Sequence, residues 1–175
     1  MSDDVTSIAV ADLMGGAALR DALLALNNAH AMELSWLGPD RLRRLVTEAF
    51  LARRIGLADA LLLALDQDAD YDGSNFLWFR ARFRRFVYVD RVVVAAHARG
   101  RGHARRLYAE LFDRALLSGH DRVVCEVNAC PPNPASDAFH AALGFTQVGT
   151  GSPDGGDKIV SYLVRHLTLE TTQTV

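Results

Sequence analysis

One segment leaves this chain little conformational choice. Phe86-Val87-Tyr88-Val89-Asp90-Arg91-Val92-Val93-Val94 is almost entirely β-branched or aromatic, and it runs within a few residues into Arg99-Gly100-Arg101-Gly102-His103-Ala104. Side chains of the first kind fit a pleated, half-buried surface and lose rotamer freedom in a helix, so residues 86–94 read as a central strand. Beyond the turn, Ala104, Leu107, Tyr108, Leu111, Phe112, Ala115 and Leu116 recur at i, i+3, i+4, the stripe of an amphipathic helix, and Gly119 ends it. Strand, tight glycine turn and helix in immediate succession require a mixed α/β architecture.

The remaining segments extend that reading. Residues 7–11 read as a short first strand, 17–29 as a helix, and Pro39-Asp40 opens a second helix with Leu42, Leu45, Val46 and Ala49 on its buried side. Residues 50–54 and 57–65 read as two strands joined at Gly56, although the run 60–65 suits a helix equally on propensity. Residues 123–127 form the next strand. Pro131, Pro132 and Pro134 punctuate a loop into a helix at 135–143, closed by Gly144, and 145–148 with 159–164 form a final hairpin around the glycine-rich stretch 149–156. With 175 residues, half of them hydrophobic, one continuous domain is the simplest organisation.

Charge narrows the function classes. The formal net charge is −2, and no apolar run reaches the roughly 18 residues of a membrane span, so neither general nucleic-acid binding nor membrane insertion is expected. The acidic start, Met-Ser-Asp-Asp, lacks the features of a secretory leader, which gives a cytoplasmic expectation. Cys125 and Cys130 are too few for a four-ligand zinc site, and His97 with His103 has no third ligand, so no metal is expected. Asp68, Asp70, Asp72 and Gly73 copy the first half of a calcium loop, but Phe79 stands at the twelfth position in place of Glu. With Asp66 they read as a solvated loop or as a rim that attracts a cationic acceptor. Of 19 cationic residues, nine arginines fall between 80 and 106 against one acid, Asp90.

The turn explains part of that cluster. Small residues at 100, 102 and 104 let backbone N–H groups approach a ligand closely, the helix that follows presents its positive end, and Arg99, Arg101, Arg105 and Arg106 flank it. A phosphate or pyrophosphate suits this arrangement. Arg105 stands where the third glycine of a dinucleotide fingerprint would fall, and no Gly-Lys-Ser/Thr of a P-loop is present.

At these residues the sequence resembles the GNAT superfamily of acyl-CoA-dependent N-acyltransferases. Arg99, Gly102 and Ala104 meet its Gln/Arg-x-x-Gly-x-Gly/Ala signature directly after a strand. Asn133 followed by Phe139-His140-Ala141-Ala142-Leu143-Gly144-Phe145 is similar to a second family feature. The resemblance implies an α/β GNAT fold with a mixed, mostly antiparallel twisted sheet of six to seven strands, about four flanking helices and a splayed central strand pair that holds acyl-CoA. It implies a variable acceptor-side half (1–85), an acetyl-CoA-binding core (86–150) and a closing strand and tail (151–175). It also implies that Val92, Val93 and Val94 align the thioester and pantetheine arm. Gly100, Arg101, Gly102, His103, Ala104 and Arg105 would cradle the pyrophosphate beside Arg99, and Asn133, Ser136 and His140 would line the pantetheine region.

The family's usual tyrosine acid is replaced here by His140, which either protonates the departing thiolate or merely packs on its helix. For the general base, Glu126 stands in the otherwise apolar strand 123–127. It is either the base or an outward residue paired with an arginine, and Asp90 is the alternative. The expected activity is transfer of acetyl from acetyl-CoA to a primary amine, small-molecule or peptide, in a ternary complex. The alternative is a domain that binds or senses acyl-CoA without turnover, and a homodimer stays open.

Overall fold

The run at 60–65, readable from propensity as helix or strand, is strand: Ala60, Leu61, Leu62, Leu63, Ala64 and Leu65 all have 0% exposure. Only a strand covered on both faces buries every consecutive side chain. It belongs to β3 (Ala60–Asp66), paired antiparallel with β2 (Leu51–Ile55) from Ile55↔Ala60 to Leu51↔Ala64 across the turn at Gly56. The computed structural model describes residues 4–153 and 155–168; of the closing strand and tail expected at 151–175, positions 154 and 169–175 lie outside the described residues.

The described residues divide into two compact units, one of residues up to Tyr71 with Val89–Leu111, the other of Asp72–Tyr88 with the residues from Phe112 on. In the first, β1 (Val5–Ser7) pairs antiparallel with β2. The expected strand at 7–11 is shorter and lies earlier than that, because α1 (Val10–Gly15) takes over: the Asp12 carboxylate accepts from the Ala9 N–H at 2.8 Å, and Leu13 is buried. Helices α2 (Ala17–Asn28), α3 (Ala31–Leu34) and α4 (Pro39–Glu48) follow, and Leu23, Leu26, Leu42, Leu45 and Val46 are their core residues. Strand β4 (Val87–Val94) and helix α6 (His103–Leu117) run from one unit into the other along the chain.

In the second unit, α5 (Ser74–Arg80) follows the acidic run, over residues to which the sequence assigned no element. Phe76 and Phe79 are fully buried, with Phe76 ring centroids 5.5 Å from Phe86 and 5.6 Å from Tyr88. Burial of these rings stabilises a helix too short to stand alone. Strand β4 begins parallel to β5 (Arg122–Cys130) at Val87↔Val123 and Tyr88↔Val124. Strand β5 pairs antiparallel with β7 (Ile159–His166), which pairs antiparallel with β6 (Thr146–Gly151). Helix α7 (Pro134–Ala142) joins β5 to β6. The seven strands lie in the order β1-β2-β3-β4-β5-β7-β6, and seven α-helices are found among the described residues, against the four or so expected.

A buried polar network braces the first unit. Arg91 Nε donates to Asp90 Oδ2 at 2.6 Å, Arg91 Nη1 to Asn27 Oδ1 at 2.7 Å, and the Tyr71 hydroxyl to Asp90 Oδ1 at 2.6 Å. Side-chain exposure is 2% for Arg91 and 3% for Asp90. Asn27 and Asn28, at the end of α2, bond Ser35 C=O and Leu37 C=O and so hold the connection to α4. Asp90→Ala leaves Arg91 buried without its carboxylate. The variant should lose about 3–5 kcal/mol of unfolding free energy in urea titration; a loss of only a few tenths, ordinary for a surface change, would contradict the brace.

Candidate functional site

The turn after β4 grows out of the strand's own alternation. Val93 is buried, Val92 and Val94 are half-buried, and the Ala95 N–H donates to Asp59 C=O at 2.8 Å. One turn of 3-10 helix, Ala96–Ala98, precedes Gly100 and Gly102, whose φ angles of +77° and +76° lie in the left-handed region that favours glycine. A Cβ at either position would meet nothing within 4 Å, so backbone conformation and open approach, not crowding, call for glycine here. Arg106 N–H donates to Gly102 C=O at 3.1 Å; the N–H groups of His103, Ala104 and Arg105, in the helix's first turn, have no intrahelical acceptor. Arg99, Arg101, Arg105 and Arg106 are exposed, and none pairs with a carboxylate among the described residues. Unsatisfied amides at the positive end of a 15-residue helix, ringed by four guanidiniums, fit a diphosphate. The His103 ring is only 2% exposed, and neither of its nitrogens has a hydrogen-bond partner among the described residues, so its backbone is what the turn offers.

A second cluster lies in the other unit, around Glu126. In the β5–β7 register Glu126 stands opposite Tyr162. Asn75 Nδ2 donates to Glu126 Oε1 at 2.8 Å, the Tyr88 hydroxyl donates to the same oxygen at 3.1 Å, and the Tyr162 hydroxyl donates to Asn75 Oδ1 at 3.1 Å. Burial, and after it the negative charge of Glu126, pushes the Tyr162 phenol above its usual range, while Arg82 pulls it back. Trp78 stacks on Tyr162 at 4.0 Å, and the Arg82 guanidinium lies 3.8 Å from the centre of the Trp78 ring. The glycines of β6 fit this packing: a Cβ at Gly149 would come within 2.7 Å of Trp78, and one at Gly151 within 2.7 Å of the Tyr162 hydroxyl. A carboxylate held by a carboxamide and a phenol is equipped to receive a proton from a bound cation.

The residues at the start of α7 are occupied with the helix itself. Asn133 caps it, Oδ1 accepting from the Ser136 N–H at 3.2 Å. His140 Nδ1 lies 2.8 Å from Ser136 C=O, which assigns its proton to that nitrogen, and 3.2 Å from the Ser136 hydroxyl. The ring is 3% exposed and stands edge-on to Phe139 and Phe145, each at 5.3 Å. Burial lowers its pKa from the ordinary value, outweighing the Ser136 hydrogen bond and the nearby Asp137 charge, and so favours the neutral imidazole. Asp90, the other carboxylate singled out in the sequence, lies in the Arg91–Tyr71 network of the first unit.

Asn75, Tyr88, Trp78 and Tyr162 were not singled out by sequence reasoning. The usable signal was Tyr162 on the same alternating face of its strand as Val160 and Val164; nothing local points Asn75 at a residue 51 positions away. The acidic run is tied through its backbone, Asp68 N–H donating to Asp66 Oδ1 and Asp70 N–H to Glu48 Oε2 of α4. No group of three or more His, Cys, Asp or Glu among the described residues is arranged to hold a metal, and no described helix is long and apolar enough to cross a membrane.

Residues 71–145 match the family described as acetyltransferase (GNAT) family. No curated protein matches the chain. The fold is similar to that of the ribosomal-protein-S18-alanine N-acetyltransferase from Escherichia coli (TM-score 0.66, 14% identity, 98% of each chain). It is also similar to a ribosomal-protein-alanine N-acetyltransferase from Brucella melitensis (TM-score 0.65, 22% identity, 94% of this chain and 99% of that one). A chain of the NatC complex bound to Gag peptide and CoA gives a TM-score of 0.71 at 13% identity, over 96% of this chain and all of that one.

The lowered pKa of His140 has a signed consequence. The unfolded chain takes up this proton more readily than the folded one, so stability is full above about pH 6.5 and falls as pH drops through the folded-state value. Urea titrations at pH 7.5 and 5.0 should show a smaller acid-side loss for His140→Asn than for the parent; equal losses would contradict a neutral buried imidazole.

Proposed function

From the match of residues 71–145 to the GNAT acetyltransferase family, we propose that the protein moves acetyl from acetyl-CoA to a primary amine by direct attack, with Glu126 as general base. The observation that carries the reading is Glu126 itself, a carboxylate in an apolar strand held by the uncharged donors Asn75 and Tyr88. In this reading the ammonium of the acceptor gives a proton to Glu126 and the free amine attacks the thioester carbonyl. Strand N–H groups at Val93 or Val94 polarise the carbonyl oxygen, and the tetrahedral intermediate collapses to amide and thiolate.

The turn residues Gly100, Arg101, Gly102, His103, Ala104 and Arg105, with Arg99, take the pyrophosphate, and Asn133 and Ser136 take the pantetheine arm. His140 is left out of proton donation, since a neutral imidazole whose Nδ1–H is engaged by Ser136 C=O has no labile proton to spare. A thiolate whose conjugate acid lies near 8.5 can leave as the anion, or take from solvent the proton that the nitrogen sheds. Asp90 is likewise left out, because Arg91 and Tyr71 engage its two oxygens. A protein N-terminal amine is the first acceptor to test, since two of the similar structures are alanine N-acetyltransferases of ribosomal proteins.

The test is CoA release from acetyl-CoA over alanine-initiated peptides, lysine peptides, free amino acids and spermidine. Turnover is expected with at least one class, and Glu126→Gln should lower kcat/KM by about 10²–10⁴-fold while acetyl-CoA binding persists. Gly102→Val, which forces a β-branched residue into left-handed backbone, should weaken CoA binding by at least about tenfold in calorimetry. Tight CoA binding with no CoA released from acetyl-CoA across the panel would make this a binding or sensing protein instead.

A further inference from the structure

Asn75 lies on α5, between β3 and β4, and its carboxamide uses both ends. The Tyr162 hydroxyl donates to Oδ1 at 3.1 Å and Nδ2 donates to Glu126 Oε1 at 2.8 Å. Turned over, the amide would set its own oxygen against the carboxylate, so the two contacts together fix which end faces Glu126. The frame around the amide is stiff. Phe76 and Phe79 anchor α5 with no exposed surface, and Trp78, three residues along the helix from Asn75, stacks on Tyr162 at 4.0 Å. The Tyr162 hydroxyl is confined on its other side by Gly151, where a Cβ would come within 2.7 Å of it.

We infer that Asn75 is a positioning residue for Glu126: its carboxamide, aligned by Tyr162, orients the carboxylate and keeps it ionised until the acceptor's proton arrives. The inference rests on the reading of Glu126 as the base. A hydrogen bond donated to the charged form of an acid favours that form, so removal of the Asn75 donor raises the pH at which Glu126 takes up a proton. The other groups around the carboxylate include the Tyr88 phenol from β4, the Tyr162 phenol from β7 and, through Tyr162, the Arg82 guanidinium that follows α5. Each is present in the wild type and in both Asn75 variants. Asn75→Asp is the sharpest substitution, since it keeps the side chain's shape and exchanges a donor for a second carboxylate at hydrogen-bond distance. Asn75→Ala removes the donor alone, and Tyr162→Phe leaves the donor but frees the amide to turn.

The test uses the full-length chain labelled with ¹³C-glutamate. Five glutamates give five Cδ signals, and the one lost in Glu126→Gln belongs to Glu126. Its titration midpoint should rise by about one pH unit or more in Asn75→Asp, less in Asn75→Ala and least in Tyr162→Phe. The other glutamate signals, unmoved, report an intact fold. A Glu126 midpoint unchanged in both Asn75 variants would overturn the inference. With acetyl-CoA and an alanine-initiated peptide, the acid limb of kcat/KM should move to higher pH in step with the midpoint, whereas a uniform drop with no movement of the limb would mean a merely structural role. Wild-type turnover by Glu126→Gln would instead overturn the base assignment, and with it the role given to Asn75, whatever the midpoints do.

Discussion

A carboxylate placed in an apolar strand must be compensated, and the kind of compensation decides what the group can then do. This chain does it twice. Asp90, in one unit, meets a full counter-charge: Arg91 at 2.6 Å, itself held by Asn27, with the Tyr71 hydroxyl on the second oxygen. The Tyr71 phenol is pushed well above its ordinary range, by burial first and by Asp90 next, so its hydroxyl remains a donor to Asp90 across ordinary pH. Glu126, in the other unit, receives hydrogen bonds from Asn75 and Tyr88, which are uncharged. In the proposed reading Asp90 serves as a brace, and the donors on Glu126 orient it as a base that accepts a proton.

The arginine cluster divides along similar lines. Arg99, Arg101, Arg105 and Arg106 surround a glycine turn whose backbone already favours an anion, and they are exposed. Arg80, Arg82 and Arg85 are engaged with the protein: Arg80 lies over Phe76 at 5.3 Å, Arg82 over Trp78, and Arg85 donates to Ser118 C=O at 3.1 Å. Planar guanidiniums stack on aromatic faces more effectively than ammonium groups do, which gives arginine a structural reason at these positions. Composition alone shows one basic stretch; the structure shows a ligand-facing part and a packing part.

What was legible in the sequence is what local periodicity encodes. Strand β4, the glycine turn and α6 carry their patterns within a dozen residues each, and all three fall where expected. Glu126 stood out as the one acid of the strand expected at 123–127. Its partners did not, because Asn75 lies 51 residues from Glu126 and Tyr162 lies 87 from Asn75, and side-chain contacts at such separations leave no periodic trace. Helix α5 was missed for a different reason: it is seven residues long, its Gly73 N-cap makes no side-chain capping bond, and aromatic residues favour strands, so only burial of Phe76 and Phe79 decides its state. The lowered pKa of His140 likewise comes from burial, which no local sequence pattern marks.

The central claim is that the acetyl group passes directly from thioester to amine. Rapid-quench single turnover with acetyl-labelled acetyl-CoA and an alanine-initiated peptide tests it most directly, since peptide and protein are separated at each time point and the label on each is counted. The account predicts label that passes from acetyl-CoA to the peptide amine with none on the protein at any time. Label that accumulates on the protein before it reaches the peptide would contradict it.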